Sequence, residues 1–301
     1  MEYMKLLDSC TLCPRSCSVN RNQGEIGSCG VSSELLVARA ALHMWEEPCL
    51  SGENGSGTVF FSGCAMGCVF CQNHEIASGR KGKYISVSRL AEIFLELQEK
   101  GANNINLVTP SHYVPQIVMA IKEAKKNGLF LPVVYNSSGY EKVETLKLLD
   151  GLIDIYLPDF KYMDTGIASR YSRCGDYEAY ARPAIEEMVR QTGEPVFSEE
   201  GIMMKGTIVR HLSLPGYLDD SKDILTYLQD TYGEKIFISI MNLYTPMLTL
   251  DNYPELKRKV TKEEYDELVM FAKLIRIRNA FIQEEETQDE SFIPVFDGEG
   301  V

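Results

Sequence analysis

Short apolar runs alternate with longer amphipathic segments from Gly57 onward. The runs are rich in Val, Ile, Leu and aromatic residues, which is typical of buried strands, and they lie at residues 58–62, 104–108, 131–135, 153–157, 206–211 and 236–240. Between them, apolar residues recur at helical spacing. This spacing predicts a helix that begins near Ser86 or Ser88, and further helices over residues 113–126, 141–149, 177–191, 221–230 and 261–282.

The order of these elements predicts the fold class. Strands that alternate with helices pair in parallel and carry their helices on the outside. Six such units, with no Gly-x-Gly-x-x-Gly motif after the first strand, favour an open barrel over a dinucleotide-binding sheet. We therefore expect an α/β fold, a partial (β/α)6 TIM-like barrel over residues 55–283. A cysteine-rich extension (1–54) precedes the barrel, and an acidic tail (284–301) without fixed structure follows it.

The composition argues against several classes of function. The chain has 301 residues and a formal net charge of −13, so it lacks the surplus of Lys and Arg with which general nucleic-acid binders replace counterions. No apolar run approaches the roughly 20 residues that span a bilayer. The first residues also lack the basic start and apolar core of a secretory signal. We expect a cytoplasmic protein with no nucleic-acid or membrane partner.

Cysteine usage points to the chemistry. The chain has nine cysteines, and because disulfides are rare in a reducing compartment, clustered cysteines there indicate metal or redox chemistry. Cys64, Cys68 and Cys71 form a Cys-x3-Cys-x2-Cys motif directly after the first predicted strand. Three thiolates leave one iron of a [4Fe–4S] cluster without a protein ligand and free to bind a small molecule. Structural zinc takes four ligands, often as two cysteine pairs, and fits this spacing poorly.

This motif, with Phe70 just before its last cysteine, resembles the hallmark of the radical S-adenosylmethionine (SAM) superfamily. The resemblance implies a [4Fe–4S] cluster on Cys64, Cys68 and Cys71 whose fourth iron chelates the amino and carboxyl groups of SAM. One electron then cleaves the sulfonium and yields a 5′-deoxyadenosyl radical. The resemblance also implies a partial (β/α)6 barrel with the cluster at the carboxyl ends of its strands, and a flavodoxin or ferredoxin-type reductant.

Five further segments resemble one branch of the superfamily, the pyruvate formate-lyase-activating-enzyme-like proteins. They lie at residues 101–113, 134–140, 154–162, 209–216 and 240–247. Each coincides with or follows a predicted strand, so all five would project into the same mouth of the barrel. The branch is related to the glycyl-radical activases, and this relationship implies a glycyl radical enzyme or another protein as the substrate.

The same resemblance implies contacts with SAM. Thr109 stands where the superfamily has a segment that binds the methionine amino group, and Asn136 and Ser138 are expected to hydrogen-bond the ribose or the carboxylate. For these two residues the alternative is a polar turn that stabilises its own backbone. Phe70 and Tyr244 are expected to wall the cofactor pocket, and core packing is the alternative for Tyr244.

Four charged or titratable residues complete the predicted site. Asp159 and Lys161 resemble an Asp-x-Lys pair that glycyl-radical activases place beside SAM and the substrate peptide; a surface ion pair is the alternative. Arg210 is expected to grip the SAM carboxylate with two parallel hydrogen bonds. His211 is a candidate proton carrier, although a lone histidine is more often structural.

A second group of cysteines lies in the extension. It supplies four thiolates, which are a complete shell for tetrahedral zinc or for a second [4Fe–4S] cluster: Cys10, Cys13, Cys17 and Cys29. A short segment with little apolar content needs such a link to hold its shape. The alternative is a set of reduced cysteines without a metal.

Three functions are in competition. The first is a radical SAM oxidoreductase that resembles the activases and abstracts a hydrogen from a glycine of a partner enzyme. The second is a radical SAM enzyme that modifies a small molecule or another protein side chain. The third is a non-catalytic iron–sulfur protein that carries electrons or senses redox state. Residues expected to face SAM, such as Arg210 and Asn136, argue against the third.

Overall fold

The computed structural model describes residues 2–246, 250–283 and 294–301. The strands are Leu35–His43 (β1), Ser56–Phe61 (β2), Lys83–Ile85 (β3), Ile105–Val108 (β4), Val133–Ser137 (β5), Ile155–Pro158 (β6), Val196–Phe197 (β7), Met203–Leu212 (β8), Phe237–Met241 (β9) and Ala280–Ile282 (β10). The helices are Pro48–Ser51 (α1), His74–Ala77 (α2), Val87–Glu99 (α3), Val114–Lys126 (α4), Val143–Leu146 (α5), Thr165–Ser172 (α6), Tyr177–Thr192 (α7), Leu218–Tyr232 (α8) and Lys262–Leu274 (α9). None of these helices is long and apolar enough to cross a membrane.

Six parallel strands form the centre of a single sheet, in the order β2, β4, β5, β6, β8 and β9. Antiparallel β1 and β3 extend one side of the sheet, β10 extends the other, and β7 pairs with β8. Within the described ranges β3 and β10 do not pair with each other, so the sheet stays open. This arrangement confirms the predicted partial (β/α)6 barrel and all six predicted strands.

Burial explains why the strands read as continuous apolar runs. Every residue of β2, β4 and β5 is buried, as expected for parallel strands that are covered on both faces. Helix α3 is capped by Ser86, whose hydroxyl accepts a hydrogen bond from the Arg89 N–H, and it packs Leu90, Phe94 and neighbouring apolar residues into the core. The N-cap satisfies a backbone donor that the first helical turn leaves free.

The long C-terminal helix predicted over residues 261–282 is wrong in its second half. Helix α9 starts as predicted, with a capping box between Thr261 and Glu264, but it ends at Leu274. Arg276 takes a left-handed backbone conformation (φ 62°), which stops the helix. The chain then returns as strand β10 beside β9. Pairing with an open sheet edge overrides the helical spacing of the sequence here.

Both ends of the chain contact the sheet. Strand β1 lies within the predicted cysteine-rich extension (1–54) and pairs with β2; the domain boundary at residue 54 stays a prediction. The expectation that the whole tail lacks fixed structure is wrong for residues 294–301, because the N–H of Gly298 and the C=O of Glu299 bond to β1 at Ala38 and Ala40, and Arg39 forms ion pairs with Asp297 and Glu299. Residues 284–293 lie outside the described ranges.

Candidate active site

A cavity of about 860 Å³ opens at the carboxyl ends of the parallel strands. The barrel rule places active sites at this end, because the loops after each strand converge there. The predicted cluster loop lies after β2, Thr109 after β4, Ser138 after β5 and Asp159 after β6, and all of them line the cavity. Its volume lies in the upper part of the range of roughly 300–1,000 Å³ that is usual for small-molecule sites.

The three cysteines of the first motif lie on one loop and line this cavity. Each is partly exposed. The loop turns at Gly63, which has a φ of 95°, and a Cβ at this position would lie 2.7 Å from the carbonyl oxygen of Cys29. The next residue, Cys64, donates its N–H to that same oxygen at 3.0 Å. A glycine at position 63 therefore lets the loop pass close to the N-terminal extension.

The raised pKa values of these thiols indicate that thiolates at this site need a positively charged partner such as a cluster. Burial raises the pKa of Cys71 to about 12, and the neighbouring Cys68 and Cys64 add to the effect. Burial likewise raises the pKa of Cys64. Protonated thiols would leave the site without charge, and metal binding displaces those protons. Ser172 donates a hydrogen bond to the Cys68 sulfur at 3.0 Å, a contact of the kind that tunes thiolate ligands.

The arrangement of donors also favours a cluster over a single ion. In the described part of the chain, no three Cys, His, Asp or Glu side chains converge closely enough to hold one metal ion. A [4Fe–4S] cluster binds each thiolate at a different iron and so accepts more widely spaced ligands. Cys64, Cys68 and Cys71 would hold three irons of such a cluster and would leave the fourth iron without a protein ligand.

A half-buried network of charged groups forms the floor of the cavity around Arg210. Its Nε donates to Asp159 Oδ1 at 2.9 Å and its Nη2 to Asn136 Oδ1 at 2.7 Å. Its Nη1 lies 3.4 Å from Glu46 Oε2. On the other side of Asp159, Lys161 Nζ approaches Oδ2 at 2.6 Å. The predicted pair of Asp159 and Lys161 is thus one half of a larger network that includes Arg210.

Ionisation within this network follows from its geometry. Burial opposes the charged forms, but Lys161 and Arg210 hold the pKa of Asp159 below its usual value. Burial also works against the two cations, yet the carboxylate of Asp159 raises the pKa of both Lys161 and Arg210. All three groups are therefore charged near neutral pH. For Glu46 the balance is different, because burial outweighs Arg210 and raises the pKa.

The structure separates the predicted site residues into two sets. Those that line the cavity are Phe70, Thr109, Asn136, Ser138, Asp159, Lys161 and Arg210. His211 and Tyr244 do not line it. The ring nitrogens of His211 are bonded to Phe160 O and Ser221 Oγ, each at 2.8 Å, and Tyr244 packs on Phe70 while its hydroxyl donates to Leu256 O. The side chains of His211 and Tyr244 therefore have no direct contact with a ligand in the cavity.

Sequence reasoning missed the wall that follows β1. Glu46 and Glu47 line the cavity, and Glu47 is buried with one carboxylate oxygen that has no hydrogen-bond partner among the described residues. Trp45 beside them is largely exposed. These residues precede the cysteine motif and follow strand β1, which pairs antiparallel with β2. No strand-end pattern in the sequence marks them.

The second cysteine group lies apart from this cavity. Cys10, Cys13 and Cys29 are buried and Cys17 is partly exposed, and none of the four lines the cavity. The group is packed behind the cluster loop, where Cys29 bonds to the backbone of Cys64. The geometry of the cavity therefore does not test whether these four cysteines bind a metal.

An open barrel of parallel strands, with a three-cysteine loop at their carboxyl ends, defines a class of iron–sulfur proteins. Residues 58–183 match the family model of the radical SAM superfamily. This confirms the resemblance seen in the cysteine motif. A radical SAM domain implies an enzyme of the radical SAM type, with a [4Fe–4S] cluster and SAM as its cofactors.

Individual relatives agree with the fold. The chain is 28% identical over 277 residues to an uncharacterized protein of Methanocaldococcus jannaschii, covering 89% of this chain and 75% of that protein. HydG, a maturase of the [FeFe]-hydrogenase, matches with a TM-score of 0.52 and 16% identity over 78% of this chain and 54% of HydG. Streptococcus suis SuiB, bound to precursor peptide SuiA, matches with a TM-score of 0.50 and 12% identity over 74% of this chain and 47% of SuiB. The chain thus spans about half the length of each of these two solved structures.

Proposed function

We propose that this protein reductively cleaves SAM and uses the resulting radical to abstract a hydrogen from a protein substrate, in the manner of the glycyl-radical activases. The observation that carries the proposal is the shared cavity: the three motif cysteines and the half-buried network of Asp159, Lys161 and Arg210 line the same space. When bound, the cluster supplies the electron that cleaves the sulfonium of SAM to a 5′-deoxyadenosyl radical.

The chain's own residues have defined tasks in this proposal. Asn136, Asp159 and Arg210 form a rigid floor, because each is held by hydrogen bonds to another member of the network. A rigid floor fixes the orientation of a bound ligand without reorganisation. Three carboxylates (Glu46, Glu47 and Asp159) face two cations, and this excess of acidic groups suits a ligand that carries a sulfonium and an amino group. Phe70 closes the wall beside the cluster loop.

The protein-substrate part of the proposal rests on the branch resemblance, including the Asp159-x-Lys161 pair. It also agrees with SuiB, a fold relative that is bound to a precursor peptide. The partner would present a flexible glycine loop to the cavity, with a flavodoxin or ferredoxin as reductant, in the cytoplasm. A small-molecule substrate is the second candidate. It is favoured by the buried, unpartnered oxygen of Glu47 at the cavity wall, which suits a small polar ligand.

The experiment is an anaerobic assay of the full chain after reconstitution with iron and sulfide. Dithionite and SAM are added, and 5′-deoxyadenosine is measured by chromatography. Wild type and Cys49→Ala should form it and Cys68→Ala should not, because Cys49 is a buried cysteine outside the cavity. If wild type binds its cluster and forms no 5′-deoxyadenosine even with candidate partners present, an electron carrier replaces the enzyme as the better account.

A second assay separates the two substrate classes. Candidate glycyl radical enzymes from the same genome are incubated with the reduced protein and SAM, and a glycine-centred radical is sought by electron paramagnetic resonance. A doublet that is lost when the target glycine is changed to alanine supports the activase role. Formation of 5′-deoxyadenosine that depends on a small metabolite and never yields this doublet favours the second candidate.

A further inference from the structure

The four cysteines of the N-terminal extension lie on one folded segment, and the sulfurs of Cys17 and Cys29 flank Gly27. A Cβ on Gly27 would lie 3.2 Å from the sulfur of Cys17 and 3.5 Å from that of Cys29. Any larger residue at this position would therefore fill the gap between the two sulfurs. Cys10 and Cys13 are buried on the same segment, and the chain doubles back there through hydrogen bonds between Cys10 and the backbone of Ser18 and Val19. The fold thus gathers cysteines that are up to 19 positions apart in sequence.

Backbone strain is concentrated at Cys17. The residues on either side of it, Ser16 (φ 42°) and Ser18 (φ 56°), both take left-handed conformations. In the described part of the chain only two other non-glycine residues do so, Arg173 and Arg276. Each such residue costs about 1–2 kcal/mol. Strain of this kind persists only where the surroundings impose it, and it is often found where a side chain must be aimed at a ligand.

The third observation is a buried cation with no carboxylate beside it. Arg21 is only 1% exposed. Its guanidinium bonds to the carbonyl oxygens of Ser32 and His112 and lies 3.8 Å from the sulfur of Cys10; no acidic side chain of the described ranges pairs with it. A buried unpaired charge is costly by several kcal/mol. Metal-bound thiolates at this place would supply the missing negative charge.

We propose that Cys10, Cys13, Cys17 and Cys29 hold a second [4Fe–4S] cluster, with Arg21 as a hydrogen-bond donor to the sulfur of Cys10. Four thiolates complete the ligand shell of such a cluster. A cluster binds each thiolate at a different iron and so accepts wider ligand spacing than zinc does, and no three donor side chains of the described residues are placed to hold a single ion. The site is separate from SAM cleavage and does not depend on the proposed function.

The second cluster would be joined to the active-site loop by direct contacts. Cys29 accepts a hydrogen bond from the N–H of Cys64. Arg15, which lies between Cys13 and Cys17 in sequence, donates to the carbonyl oxygens of Ala65 and Met66 at 2.9 and 3.2 Å. Occupancy of the second site is therefore expected to order the loop that carries the first cluster.

Metal analysis of a variant that lacks the first cluster tests the proposal. The full chain with Cys64, Cys68 and Cys71 changed to Ala is reconstituted anaerobically with iron and sulfide. Iron, acid-labile sulfide and zinc are then measured per chain. We expect about four irons and about four sulfides to remain. The matched control, Cys49→Ala, should keep the wild-type iron content, since Cys49 belongs to neither proposed ligand set and does not line the cavity.

The converse variant changes Cys10, Cys13, Cys17 and Cys29 to Ser and should lose at least about four irons relative to wild type. Circular dichroism shows whether it folds; if it does not, the result for the variant that lacks the first cluster decides by itself. Absence of iron from the variant with Cys64, Cys68 and Cys71 changed to Ala overturns the proposal. So does one zinc per chain in place of iron. Formation of 5′-deoxyadenosine by wild type is a separate readout, so failure here is distinguishable from failure of the proposed function.

A second measurement tests the role of Arg21. In the variant without the first cluster, Arg21→Gln removes a positive charge next to the remaining cluster. The reduced, more negative cluster then loses stabilisation, and its reduction potential should fall; charge and hydrogen bonds to the sulfurs set this potential. An unchanged potential in a variant that retains its iron would show that Arg21 does not contact the cluster.

Discussion

The turn at Gly63 offers a sharp test of how the cluster loop is held. In Gly63→Ala the new Cβ would lie 2.7 Å from Cys29 O, 3.0 Å from Val31 Cγ1 and 3.1 Å from His112 Nε2. The first of these is a backbone atom fixed by the hydrogen bond from Cys64, so it has little freedom to move. Gly67→Ala on the same loop is the matched control, because it also has a positive φ (70°) but nothing lies within 4 Å of its Cβ.

The expected magnitudes differ clearly. Gly67→Ala adds only the backbone strain of an L-residue in the left-handed region, about 1 kcal/mol. Gly63→Ala adds the same strain, an overpacking term of about 1–3 kcal/mol and the loss of a buried hydrogen bond of about 1 kcal/mol. The total is about 4 kcal/mol. Because each kcal/mol shifts the Tm of a chain of this length by about 1.5 °C, Gly63→Ala should melt about 5 °C below Gly67→Ala.

Two assays check this prediction. Thermal unfolding of the metal-free chains gives the difference in Tm, and iron content after reconstitution shows whether the displaced loop still binds its cluster. We expect Gly67→Ala to retain iron at the wild-type level and Gly63→Ala to retain less. Equal Tm values and equal iron contents for the two variants would refute the claim that contact with the extension positions the cluster loop.

Three further predictions concern titratable groups that are buried or half-buried. Asp159→Asn removes the carboxylate that Arg210 and Lys161 share, and should lower the free energy of unfolding by about 3 kcal/mol at pH 7 in denaturant titrations. The control Glu75→Gln breaks an exposed ion pair and should change this free energy by less than about 1 kcal/mol. Similar losses for the two variants would contradict a stabilising role of the Asp159 network. Burial raises the pKa of Glu141 to about 7, so the folded chain binds more protons than the unfolded chain between about pH 4.5 and 7 and loses stability as the pH rises. Glu141→Gln should therefore gain about 3 kcal/mol over wild type across this window, and a difference that does not vary with pH argues against a buried neutral acid. Burial lowers the pKa of His211 to about 4, and its ring forms hydrogen bonds only within the core. His211→Gln should therefore lower Tm, while 5′-deoxyadenosine formation per bound cluster stays the same. An unchanged Tm with reduced 5′-deoxyadenosine formation would restore the predicted role of His211 as a proton carrier.

The barrel and the cluster loop were accessible from sequence because both are written in local patterns. Buried parallel strands are continuous apolar runs, so all six appear as such in the sequence, and the three cysteines of the motif lie within one loop. Residues at strand ends, such as Asp159 and Arg210, were also found, because strands of a parallel barrel bring their carboxyl ends to one mouth.

Long-range pairing was outside the reach of such patterns. Strand β10 was predicted as helix from the spacing of its apolar residues. That spacing is a weak preference, and pairing with the open edge of the sheet overrides it. The wall formed by Glu46 and Glu47 depends on the antiparallel pairing of β1 with β2, which no local signal announces. His211 was placed at the cavity by its position in the strand, yet the alternation of side chains turns it into the core.

By itself, the sequence determined the class of this protein: spacing of apolar residues specified parallel strand–helix units, and spacing of cysteines predicted an open iron–sulfur site. Only the tertiary structure decided which charges meet. It showed that the guanidinium of Arg210 is already held by Asp159 and Asn136, and that Arg21 is a buried cation beside the N-terminal cysteines. The physical reason is range. Propensity and motif act between neighbours in sequence, whereas burial and electrostatics act between groups that only the folded chain brings together.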